Sequence, residues 1–396
     1  MFSTLSDSDG EANQNVEHST ASTNSESLPL AISEYAKRLL SPLRFSDDEV
    51  QKKVLSFYVE DLRIFEHFGN LRAHILLGAG DFATILVEQI DAASRLSEED
   101  ESYIERRTHA ALTFYGSAGP GIRSLRDQVH LNRCLRMALN LYSKDAKAHT
   151  NCLSLDAVED EGSRKVSLWG TAVEVQYNVD YPLDLLFSQK VLAMYSKIFN
   201  LLLRILRAKR SLRSLFMTSR RNSALRRSPH ARFSSDKKVG SALWDFCWQA
   251  EHFVSVFGGF QTEQVLGSTW TAFQTSWDTA RTIWELKDSH VQYLNDCTHR
   301  CLLESRHKSI LGVMTEGFDI VINVEKQLSI TIEDCTGMGR NSGDVFFDLL
   351  KSSSVSLRRR IVFLRDALQR LFDDGPHPHL HDLLTSLGFG KESSPW

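Results

Sequence analysis

The sequence predicts a mainly α-helical fold, stacked helical bundles with one small β-hairpin insertion. Two observations carry the prediction. Apolar residues recur every three or four positions in at least four long segments, whereas a single stretch alternates with the period of two that a strand needs. The strongest helical stripe is Leu192, Tyr195, Phe199, Leu202 and Leu206, with Lys190, Lys197 and Arg204 on other faces. Three further stripes begin at Leu243, Ile310 and Leu357. No heptad run or fixed repeat is sustained, which favours packed bundles over a coiled coil or a solenoid.

Residues 1–28 are mostly Ser, Thr, Asn, Asp and Glu, without Lys or Arg. Such a segment cannot bury enough surface to offset chain entropy and is expected to be disordered. A helical domain is expected over 29–392, in sub-bundles of about 29–150 and 180–392. Asp47 and Asp48 occupy N-cap positions for a segment reaching Leu77. Helices are expected over Phe82–Ala92, from Glu98 to about Leu112, and over Ile122–Tyr142, with the glycine-rich stretch 116–121 as a breaker. Val173, Val175, Tyr177 and Val179 alternate with polar residues, and Gly170 offers a turn to an earlier strand around Val166 and Leu168. A hairpin over about 166–179 follows, ended by Tyr181-Pro182.

A net charge of −4 over 396 residues implies no bulk attraction to nucleic acid or to a membrane surface. No apolar run approaches the length of a bilayer span, so no membrane insertion is expected. Six scattered cysteines are too sparse for a disulfide framework and suit a reducing compartment. Twelve basic residues and one acid between Arg204 and Lys238 predict a basic, flexible loop over about 218–238, with too few aromatics for base stacking.

Gly78-Ala79-Gly80-Asp81-Phe82-Ala83 fits a dinucleotide-binding pattern, but the preceding Ile64–Leu77 has helical spacing where that pattern needs a strand. The alternative is a helix–turn–helix corner in which Gly78 and Gly80 permit a left-handed exit and Asp81 caps the next helix. Cys297-Thr298-His299-Arg300-Cys301 and His377-Pro378-His379-Leu380-His381 each resemble half of a metal site, and each lacks a second pair of ligands at a suitable spacing. No nucleophile elbow, phosphate loop or metalloprotease helix occurs. The residues therefore point to no enzyme, no metal and no cofactor.

The stretch from Phe65 to Phe82, with its leucine-rich helix running into Leu-Gly-x-Gly-Asp-Phe, resembles the gamma-tubulin complex component family. Three more matches follow in order: Tyr181-Pro182-Leu183 with Tyr195 to Arg210, His252-Phe253-Val254 with Phe260, Val265-Leu266 and Trp270, and His299-Arg300-Cys301-Leu302-Leu303. The resemblance covers about residues 45–372. It departs at Gly258-Gly259-Phe260, where two glycines are expected to bend or break a helix, and near Leu383–Phe389. It also lacks the family's N-terminal half.

The resemblance implies a gamma-tubulin-binding scaffold subunit. Its partners would be gamma-tubulin and other gamma-tubulin complex components, with no nucleic acid. Its place would be the cytoplasm and cytoskeleton, at the microtubule-organising centre or spindle pole, in microtubule nucleation. Motif position puts the partner contacts at Gly78, Gly80, Asp81 and Phe82, and at Arg300, Cys301, Leu302 and Leu303. The residues by themselves also allow a helical adaptor or tethering protein with no tubulin role.

Overall fold

The computed structural model describes residues 47–108, 120–142, 152–158, 172–225, 235–335, 342–375 and 377–388. Contacts divide the chain into a unit of residues 1–54, of which 47–54 are described and helical, and a unit of residues 55–396 that contains everything below. Its elements are α1 (Ile64–Asn70), α2 (Gly80–Thr108), α3 (Pro120–Tyr142), β1 (Leu153–Val158), β2 (Ala172–Tyr177), α4 (Gln189–Leu225), α5 (Ser235–Glu263), α6 (Thr269–Thr279), α7 (Ile283–Arg300), α8 (Lys308–Cys335), α9 (Ser342–Asp374) and α10 (Leu380–Gly388). Two π-helical turns, Leu71–Ile75 and Gln264–Ser268, follow α1 and α5.

Four long helices form a bundle in the cyclic order α4, α5, α9, α8. Each contributes the stripe read from its sequence: Tyr195, Phe199 and Leu202; Leu243, Cys247 and Val254; Leu357, Leu364 and Leu368; Met314, Val321 and Val324 are all buried. Two glycines let these helices close on one another. A Cβ on Gly258 would stand 2.8 Å from Cγ2 of Ile205, and one on Gly317 would stand 2.4 Å from Cζ of Phe253. Gly258 and Gly259 therefore do not break α5, which is continuous to Glu263. The cost of glycine in a helix, about 1 kcal/mol, is offset by close packing of α4 on α5.

Other boundaries also differ from expectation. α2 is one continuous helix where two were expected, because no glycine or proline interrupts Phe82–Thr108. α4 continues to Leu225 and α5 begins at Ser235, so 218–225 and 235–238 of the expected basic loop are helical. Arg, Leu, Ala and Lys are good helix formers, and charge alone does not stop a helix. Residues 226–234, like the expected tail 1–28, lie outside the described residues.

β2 forms where alternation placed a strand, but its antiparallel partner is Leu153–Val158, with Leu155 opposite Val175. The expected partner around Val166 and Leu168 lies outside the described residues. Leu153, Leu155, Val173, Val175 and Tyr177 are all buried, and β1 packs on α3 while β2 packs on α4. Asparagines complete the outer edges. The Asn132 amide of α3 donates to the Leu155 carbonyl (2.7 Å) and accepts from the Leu155 N–H (3.0 Å). The Asn200 amide of α4 does the same for Val173, at 2.7 and 3.1 Å. The Val175 N–H donates to Ser196 Oγ. A two-stranded sheet is marginal alone; here helical side chains stand in for the missing strands.

An aromatic layer joins α1, α6 and α7 to this bundle. Phe68 meets Phe273 at 5.3 Å and His290 at 4.5 Å between ring centroids. His290 Nε2 bonds the Tyr195 hydroxyl at 2.8 Å, and burial pushes its imidazole down to about 3.

Candidate functional site

The first predicted cluster is a tight corner between α1 and α2. The π turn at Leu71–Ile75 ends with the Leu76 N–H on the Leu71 carbonyl, and the chain then reverses at Leu77, whose φ is 54°. The Gly78 and Ala79 N–H groups donate back to the carbonyls of Arg72 and Ala73, each at 3.0 Å. The left-handed residue is thus Leu77, and no glycine among the described residues has positive φ. Gly78 is needed for space instead: a Cβ there would lie 2.9 Å from the Arg72 carbonyl oxygen. Since helical backbone precedes Gly78, the corner lacks the strand that a dinucleotide fingerprint requires.

Gly78, Gly80 and Asp81 are exposed. Asp81 sits in the first turn of α2, where a carboxylate is favoured by the helix dipole. Phe82 points the other way and is 0% exposed. Its ring packs edge-on against His74 at 4.8 Å and Tyr142 at 6.1 Å. Phe82 therefore pins α2, α3 and the π turn after α1 together from inside.

The second cluster ends α7. The Leu302 N–H donates to the His299 carbonyl (3.1 Å) and the Leu303 N–H to the Thr298 carbonyl (2.9 Å). With Leu302 at φ 59° this is a Schellman cap built on leucine where glycine is usual. The left-handed backbone costs about 1–2 kcal/mol, and burial of the Leu302 side chain, 2% exposed, offsets it. Cys301 is buried with its thiol toward the Gln261 carbonyl, and burial raises its pKa well above the ordinary thiol value. Leu303 is half-buried, as is Arg300.

Both corners hold the same strut, the π turn Gln264–Ser268. Arg72, from the first corner, donates to the Leu266 carbonyl at 3.2 Å and lies 5.0 Å from the Trp270 ring centre. Arg300, from the second, reaches Gln264 Oε1 at 3.4 Å and Ser268 Oγ at 3.3 Å. The Tyr293 hydroxyl donates to the Val265 carbonyl at 3.0 Å, and Thr269 Oγ1 donates to that of Gln264. Wide π turns misalign carbonyls from the helical ladder, and here side chains of α6, α7 and the first corner donate to three in succession. No motif in the sequence marks Arg72 or Tyr293 as functional. Arg72 and Leu266 are 194 positions apart, a separation no local spacing can bridge.

The two tempting histidine motifs also meet. His299 stacks on His377 at 5.2 Å and faces His379 at 5.9 Å, while His307 meets His377 at 6.2 Å. Phe260 of α5 stacks on His379 at 6.4 Å. His299 Nδ1 contacts Glu304 at 2.9 Å, and Glu304 pairs with Arg306 at 2.5 Å. Burial opposes ionisation of Glu304, but His299 and Arg306 outweigh it and hold the carboxyl below its ordinary value. Burial, then the neighbouring cations, lowers His307; burial, then neighbouring imidazoles, lowers His377 and takes His379 to about 4. Among the described residues no three His, Cys, Asp or Glu side chains converge on a position that could hold a metal ion. Among them, too, no single helix is long and apolar enough to cross a membrane.

Residues 64–391 match the family model described as Gamma tubulin complex component C-terminal. The chain is 23% identical over 361 residues to gamma-tubulin complex component 6 of Homo sapiens, covering 90% of this chain and 18% of that protein. It is 22% identical over 286 residues to gamma-tubulin complex component 3 of Arabidopsis thaliana, 69% of this chain and 30% of that one. Spindle pole body component alp4 of Schizosaccharomyces pombe is 26% identical over 132 residues, 33% and 16% of the two chains. The chain thus spans less than a third of each of these relatives. The family match runs through every helix from α1 to α10, and the chain belongs to the gamma-tubulin complex component family.

Proposed function

We propose that this chain binds gamma-tubulin and acts as a scaffold subunit in microtubule nucleation, alongside other gamma-tubulin complex components at microtubule-organising centres or spindle poles. The observation that carries the reading is the family match over 64–391. In this reading the chain makes and breaks no bond. It holds its partner in a fixed orientation, so that part of the entropy of bringing subunits together is met before a microtubule end forms.

The two corners suit such work because they are stiff. Each is locked by reversed N–H bonds and a buried left-handed leucine, and both are tied to one strut. Within this reading Gly78, Gly80, Asp81, Arg300 and Leu303 touch the partner. Phe82, Cys301 and Leu302 set the shape of the corners from within.

Immobilised chain titrated with purified gamma-tubulin tests the proposal. Saturable binding at micromolar concentration is expected, and Asp81→Lys should weaken it about tenfold or more while changing stability by only about 0.3–1 kcal/mol through the helix dipole. No affinity of the intact chain would leave a helical adaptor without a tubulin role. Binding untouched by Asp81→Lys and Arg300→Glu would remove the corners from the interface and keep the function.

A further inference from the structure

A second surface lies between the N-terminal halves of α5 and α9, away from both corners. Gln249 in this surface and Gln264, the first residue of the strut that follows α5, are 15 residues apart, about 22 Å at 1.5 Å per residue. The groove encloses about 580 Å³. Its floor is apolar, made by Ala242 of α5 with Phe347 and Val355 of α9. Its rim is basic: Lys238, Lys351 and Arg358 face one carboxylate, Asp245, a local excess of two positive charges (3 − 1) on a chain whose net charge is −4. None of these three cations has an ion-pair partner among the described residues. Gln249 lines the same groove, and its Oε1 is buried with no hydrogen-bond donor.

We propose that this groove binds an acidic peptide segment of a partner protein, seated by one apolar side chain. The basic rim and the apolar floor each have their complement in such a segment. Carboxylates meet Lys238, Lys351 and Arg358, and an aliphatic or aromatic side chain covers Val355 and Phe347. A nucleic acid fits less well. Phe347 is the one aromatic ring among the lining residues, and the Lys351 ammonium lies over one of its faces at 4.5 Å, so the groove offers no series of rings on which successive bases could stack. The inference does not depend on the gamma-tubulin reading, since the two surfaces share no residue.

The test is fluorescence anisotropy of the full chain with a labelled peptide of glutamates around a single phenylalanine. Companion probes carry Gln for Glu or Ser for Phe, and a single-stranded RNA of equal charge is the third. Micromolar binding is expected, with a loss of about tenfold or more in the Lys351→Glu/Arg358→Glu variant and in the Gln peptide. Both positions are exposed on the surface of α9, and an unchanged melting temperature confirms that the fold is intact. Val355→Asp, at a half-exposed position, gives the same readout should the double variant unfold. Equal affinity of the double variant, equal affinity of the Gln peptide, or RNA binding at least as tight as the acidic peptide would each overturn the proposal.

Discussion

The two corners end a helix on the same residue in the same conformation and surround it differently. At α1–α2 the left-handed Leu77 is followed by Gly78, packed against backbone, and the fold is closed by Phe82 from α2. At the end of α7 the left-handed Leu302 is followed by a rim of titratable groups: His299, Glu304, Arg306, His307, His377 and His379. The first corner is held by shape, with His74 the buried imidazole of its π turn, whose pKa burial lowers against the pull of the Asn70 carbonyl. The second is held by shape and by protonation state. Equal backbone geometry therefore does not imply equal response to conditions.

The largest separation between them should come from Phe82→Ala. Emptying a fully buried ring site costs about 3–5 kcal/mol, and urea unfolding should show that loss. A loss below about 1 kcal/mol would mean the ring is not the pin of the first corner.

Lowering pH should move the second corner more than the first. The fold accepts His307, His377 and His379 as neutral rings, so their folded pKa values lie below the unfolded 6.5. As pH falls the unfolded chain takes up these protons first. The stability they contribute is complete above about 6.5 and is lost between there and about 4, where His379 titrates in the fold. After allowance for the partial exposure of His379, a loss of about 2 kcal/mol is expected over that window. Hydrogen exchange, corrected for its intrinsic pH dependence, should rise in 299–307 and 377–388 before it rises in 64–82. A simultaneous rise would erase the distinction.

Gly78→Ala should cost about 1–3 kcal/mol, because the new methyl meets a backbone oxygen that cannot rotate away. Leu302→Gly should cost less, about 1 kcal/mol, since the backbone strain relieved cancels part of the burial lost. Thermal melts of the two variants sharpen the contrast. If Leu302→Gly stabilises the chain, the leucine is tolerated at its position and does not hold it.

The helices were legible because burial imposes a period on the sequence. The stripes through Tyr195, Val254, Val321 and Leu364 all face the bundle. β2 was legible for the same reason at a period of two. Its partner β1 alternates as well, Leu153-Ser154-Leu155-Asp156-Ala157, but carries no β-branched or aromatic residue before Val158, so its local signal is weak. Gly258 read as a breaker because propensity is local, whereas the contact that uses it comes from Ile205 on another helix. The motif residues at 78–82 and 300–303 could be located from the sequence. Which of them face outward could not, since Asp81 and Phe82 are neighbours in the chain and differ only in what the third dimension puts against them. The motifs at 297–301 and 377–381 come together in the fold through His299 and His377, a contact no local spacing announces, and among the described residues they converge on no metal position.

The asparagine-bordered hairpin has a consequence beyond stability. An open strand edge is a template: a foreign extended segment can add to it and repeat the pattern, as in fibre growth. The carbonyl and N–H of Leu155 and of Val173 already point at amides fixed to α3 and α4. Those positions offer an invading strand nothing to copy. Asn132→Ala or Asn200→Ala would leave those groups unpaired, and is expected to bring concentration-dependent aggregation together with a lowered melting temperature.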